Sequence, residues 1–188
     1  SSEGLEELEA DDEIGTIVDE INEPPYDLYA QHLKLYLAKA LGIKPSKRFP
    51  NGFLSDTYIS GFSTGYFAVV LDIVLKGINW PKERKGSQAI KFFSTLGSRD
   101  ENLALKLLED KSIAAKLALD DAFIEGRDHG NLLAVTYYEK LRHDLSEPLI
   151  DACRNLANNT SLSMPDAVFA LTLQKYVVSK WPIEASNE

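Results

Sequence analysis

Glu139 and His143 stand four residues apart in a run that reads as helix, so their side chains share a face. The stretch DDAFIEGRDHG just upstream adds Asp120, Asp121, Glu125, Asp128 and His129. Carboxylates and imidazoles brought together from adjacent helices are the ligand types of carboxylate-bridged metal bundles, and the usual groups for general acid–base work. The spacing is against the metal reading. Such bundles take a Glu-x-x-His pair from two of their helices, and none occurs here. Arg127, Lys140 and Arg142 stand close by as ready ion-pair partners. The catalytic candidates are therefore His129, Glu139, His143, Asp120 and Asp121, belonging to a helical enzyme that stands as an alternative to the main reading. No metal or cofactor is called for. With three histidines and one cysteine, and no strand–turn–helix around a glycine-flanked serine, a nucleophilic triad has no place to form.

A second constellation is basic and aromatic. Lys44, Lys47 and Arg48 precede Phe49, Phe53 and Tyr58, while Lys82, Arg84 and Lys85 follow Trp80. Cations that track a backbone and rings that stack on bases are what a single-stranded nucleic acid or another extended anion requires. Lys47, Arg48, Phe49, Phe53, Tyr58, Trp80, Arg84 and Lys85 are accordingly the binding candidates of a second alternative. Charged loops with an occasional ring are also the ordinary surface of a folded domain.

Between the two basic loops lies the most apolar segment, YISGFSTGYFAVVLDIVLKGINW, residues 58–80. Its apolar part is about 14 residues long where a membrane span needs about 20, so no span is expected. Lysine and a hydroxyl do not follow Gly65, which excludes a phosphate loop. The reading is a core helix over about 65–77, capped by Ser63 or Thr64, with Gly61 and Gly65 as punctuation at its entrance. Asp72 then falls inside an apolar helix, where it must be hydrogen-bonded, paired with a base or facing a solvated gap; a buried carboxylate with a structural partner is expected, and a functional pocket is the alternative.

The elements that would position these groups are helical. YDLYAQHLKLYLAKALG gives a helix ended by Gly42, with His32 on or beside its apolar face as a hydrogen-bonded core histidine. Residues 43–57 and 79–87 read as loops, with DTYIS at 56–60 the one strand candidate. Ser87 caps a helix over 88–96 closed by Gly97, and the box Ser98–Glu101 opens another to about Glu109. Helices follow from Ser112 to a stop at Gly126, over 131–143, over 146–158, and from the box at 163–166 to about Lys180. Cys153 lies in one of these as a small buried hydrophobe. The expected fold is all-α, a single-domain bundle or irregular array of about seven or eight helices around the central one. Residues 25–182 would form the globular domain and 183–188 a flexible tail.

Charge is unevenly spread. Of the 29 acids, ten lie in residues 1–24 with no base among them, so a net charge of −9 leaves the remainder close to neutral. This acidic arm carries Leu5, Leu8, Ile14, Ile17, Val18 and Ile21 at helical spacings and reads as a loosely docked helix or partly disordered segment. The first residue is Ser1, as expected of a processed chain, so a targeting segment is not legible; the compartment is open, with the cytoplasm favoured. Overlapping Asn-x-Ser/Thr sequons at 158–161 are short enough to arise by chance. Sparse catalytic groups and plentiful contact surface point to a noncatalytic protein-binding module, an adaptor or a small acidic inhibitor or immunity-type protein whose partner is a basic protein.

Overall fold

The computed structural model describes residues 26–74, 81–137, 150–155 and 168–182. Its helices are α1 (Tyr26–Leu41), α2 (Thr57–Val74), α3 (Lys82–Leu96), α4 (Leu103–Glu109), α5 (Lys111–Leu117), α6 (Asp121–Thr136) and α7 (Val168–Lys180). A 3-10 turn at Arg99–Glu101 and helical residues 150–155 complete them, and no strand occurs among the described residues. The fold is all-α, as the sequence indicates. No helix among the described residues is long and apolar enough to cross a membrane.

Strong local signals place several ends where expected. Gly42 takes the left-handed conformation at φ 77°, and the amides of Gly42 and Ile43 donate to Lys39 O and Ala38 O, closing α1 as a Schellman motif. Asp110 caps α5 by accepting from the amides of Ser112 and Ile113, displacing Ser112 from that role. Ser98 makes no side-chain cap bond, and α4 starts instead from Asn102, whose side chain accepts from the Ala104 amide. Pro81 heads α3, so residues 82–87, expected as loop, are helical.

The largest departure is the start of α2. Asp56 caps it, its Oδ2 accepting from the Ile59 amide at 3.1 Å, and the helix begins eight residues before the position expected. The strand candidate DTYIS is thus the cap and first turn of a helix. Ser63 and Thr64 do not cap; their hydroxyls donate back to Ile59 O and Gly61 O within the helix.

Gly61 and Gly65 therefore lie inside α2, and a second pair with the same spacing, Gly126 and Gly130, lies inside α6, which continues through both instead of stopping at the first. The two helices meet through these glycines. A Cβ at Gly61 or Gly65 would stand 2.2 or 2.1 Å from the carbonyl oxygens of Phe123 and Arg127, and one at Gly126 or Gly130 would stand 2.1 or 2.0 Å from those of Tyr58 and Phe62. Contacts rise together along both chains, Tyr58 with Gly126 and Phe62 with Gly130, so α2 and α6 run parallel. Each mid-helix glycine costs roughly 0.5–1 kcal/mol against alanine, and backbone contact along the seam offsets that cost.

The other side of α2 is packed through rings. Phe62, Tyr66 and Phe67 meet Tyr36 of α1 and Phe92 and Phe93 of α3 at centroid distances of 4.8–6.4 Å. His32 is fully buried; the Tyr66 hydroxyl is hydrogen-bonded to its Nδ1 at 2.8 Å and lies 3.3 Å from Tyr29 O.

Asp72 is exposed, which corrects the expectation of a buried carboxylate. It continues the line Gly61, Gly65, Ala68 at steps of four, three and four, and that line is covered at the glycines but open at Ala68 and Asp72. Water solvates the carboxylate, and no partner is required.

Candidate functional site

Three places hold polar groups that local structure alone does not explain. The first is a knot at the head of α2. Besides capping the helix, Asp56 accepts from the Tyr176 hydroxyl at 2.8 and 2.9 Å and pairs with the Lys180 ammonium, both on α7, while its own side chain is only 3% exposed. The bond to Asp56 raises the Lys180 pKa. Tyr58 packs on Tyr176 at 4.6 Å, and Trp181 packs on Phe53 at 5.0 Å. The knot fastens the last helix to the first turn of the central one.

Beside it, the Tyr58 hydroxyl lies 2.6 Å from His129 Nδ1 on α6. Burial first, and then the Glu125 charge, push the Tyr58 pKa upward, so the hydroxyl keeps its proton at neutral pH and can donate to the imidazole. Two candidates from different sequence constellations, Tyr58 and His129, thus meet across the helix seam. Their bond joins two helices, and neither residue lines the cleft described below.

Of the other acid–base candidates, Asp120 caps α6, accepting from the Phe123 amide at 3.1 Å, and Asp121 is exposed in its first turn. Glu139 and His143 lie outside the described residues, as do Trp80, the acidic arm and the 158–161 sequons. Among the described residues no group of three or more His, Cys, Asp or Glu side chains could hold a metal ion. Cys153 is buried, which pushes its thiol up to about 11 and keeps it protonated at neutral pH.

The basic-aromatic candidates separate. Phe53 and Tyr58 are buried in the core and offer no face for a base to stack on, whereas Lys47 and Lys85 are exposed and Arg84 is half-buried in α3. Arg48 and Phe49 do come together, in the second place: a cleft of about 170 Å³ whose lining includes Lys34, Arg48, Phe49, Leu54, Leu96 and Glu101. One wall is fixed by Asn102, almost wholly buried, whose amide donates to Phe93 O at 2.8 Å; the Leu103 amide donates to Leu54 O and the Ser55 hydroxyl to Glu101 O. Lys34 escaped the sequence reading because it is one helical lysine among many; only the fold brings it to the same cleft as Arg48.

The third place is the outer face of α6. Successive helical residues turn by about 100°, which puts Asp121, Glu125, Asp128, Leu132 and Val135 within roughly 80° of arc, on the side away from Gly126 and Gly130. All five are exposed, Leu132 at 50% and Val135 at 56%, and the three acids make no ion pair among the described residues. The stripe was hidden while Gly126 read as a helix end, because Asp121 and Glu125 then fell on one helix, Asp128 between helices, and Leu132 and Val135 on the next.

No protein-family model, curated protein or solved structure matches this chain.

Proposed function

We propose that this chain is a noncatalytic protein-binding module that presents the outer stripe of α6 to a basic protein partner, as an adaptor or a small inhibitor of immunity type. The observation that carries this reading is the stripe itself: three acids followed by two exposed aliphatics on a helix whose opposite face is locked, backbone to backbone, against α2. Acids at one end steer an approaching cationic surface, and aliphatics at the other supply area to bury once it docks. A helix held this closely loses little freedom on binding, which favours affinity. The ten acids of residues 1–24 act in the same sense over a longer range.

The test is affinity capture with the full chain from an extract of its native source, beside two variants that keep its melting temperature. In one, Asp121→Asn, Glu125→Gln and Asp128→Asn remove the charge; in the other, Leu132→Ser and Val135→Ser remove the aliphatics. The expected result is a basic protein retained by the parent, lost from both variants and released by salt. The same proteins retained equally on all three would defeat the reading.

A further inference from the structure

The cleft between α1, the 48–54 loop and the 95–101 segment stands apart from the stripe on α6, and none of the groups discussed for α6 lines it. Its walls mix apolar and charged side chains with the hydroxyls of Thr95 and Ser98. Phe49, Leu54 and Leu96 form an apolar floor and side, while Lys34 and Arg48 bring cations to the same space from different elements. Glu101 is the only acid among the described lining residues, which together carry a net charge of +1. Its contact with Arg48, 3.9 Å between two exposed groups, is a weak pair that an incoming anion can replace. Lys34 makes no ion pair among the described residues, so the cleft holds one cation beyond the Arg48–Glu101 pair.

We propose that this cleft binds a small carboxylate with an apolar tail of about one ring. The net charge selects a single anionic head, since a dianion such as a phosphate monoester would face Glu101 without a matching cation. The apolar floor selects the tail. A volume of about 170 Å³ limits the occupant to something smaller than the ligands of typical pockets of roughly 300–1,000 Å³. The Asn102 bonds and the Leu103–Leu54 bond hold the wall in place without a ligand, so the site is formed in advance.

The probe is phenylacetate, titrated into the full chain while the resonances of Phe49, Leu54 and Leu96 are followed by NMR. Neutral phenylacetamide tests the head and acetate tests the tail. The expected result is a saturable shift confined to the cleft with phenylacetate, and binding at least about tenfold weaker for either control. Lys34→Gln and Arg48→Gln are surface changes that leave the melting temperature alone, and each weakens phenylacetate binding by about tenfold. Equal shifts with phenylacetamide, undiminished binding in the double variant, or no saturable shift at these residues would each overturn the proposal.

Discussion

Helix α2 is packed in two opposite ways. Toward α6 it has no side chain at the closest points, and carbonyl oxygens of each helix stand where a β-carbon of the other would be. Toward α1 and α3 it is held off by layers of rings, Phe62, Tyr66 and Phe67 against Tyr36, Phe92 and Phe93. The glycine side gains its energy from proximity and has no slack, because a backbone cannot change rotamer. The aromatic side gains its energy from buried area, roughly 25 cal/mol per Å², and can redistribute volume among several side chains. One helix thus shows a seam that specifies geometry and a layer that supplies stability.

The sharpest break of that contrast is Gly130→Leu, which drives a side chain into Phe62 O and is expected to prevent the native seam, seen as loss of a cooperative urea transition. Gly130→Ala is the finer test. Helix propensity alone would stabilise it by about 1 kcal/mol, so a net loss of about 2 kcal/mol or more in the same titration requires the close approach, and a gain would refute it. On the ring side, Phe92→Ala is expected to cost about 3–5 kcal/mol in urea denaturation, while Phe92→Leu costs only about 1. Equal losses from the two Phe92 changes would mean that this layer is as intolerant as the seam.

The smallest effect belongs to the knot, where polar bonds add to neither kind of packing. Asp56→Asn can keep the helix cap and a hydrogen bond to Tyr176 but removes the charge facing Lys180, at a cost near 1 kcal/mol at neutral pH once solvent screening of the half-exposed amine is allowed for. Because the folded state raises the Lys180 pKa, this contribution is fully present below the ordinary amine value of 10.5 and is lost as pH rises through the folded one. Denaturation curves of parent and variant should therefore converge above about pH 10.5, and a constant gap would remove Lys180 from the account.

What could be read from sequence tracks the range of the signal. The end of α1 was legible because a glycine and two amides settle it within six residues. The start of α2 was not, because Thr57, Tyr58 and Ile59 favour extended backbone and Asp56 as a cap outweighs them only once the helix is packed. At α6, two glycines argued locally for a stop, and a contact with a helix far away in sequence reversed it. The signal that could have revealed it is the recurrence of the four-residue glycine spacing at 61/65 and 126/130. Of the candidate residues, Arg48 and Phe49 were found because they are adjacent in sequence. Lys34, and the Tyr58–His129 bond with its separation of 71 positions, were out of reach for the same reason in reverse.

That separation bears on how the chain folds in time. Most helical proteins assemble from neighbours, each helix closing on the one before it, and fold fast because their contacts are local. Here the tightest junction joins two parallel helices with α3, α4 and α5 strung between them as a crossover. Individual helices form in about a microsecond or less, yet the seam waits until the whole crossover has been brought round, and none of its contacts exists to offset the closure entropy before then. An all-α protein of this size is therefore expected to fold with the kinetics of a non-local topology, the pairing of α2 and α6 being its late step.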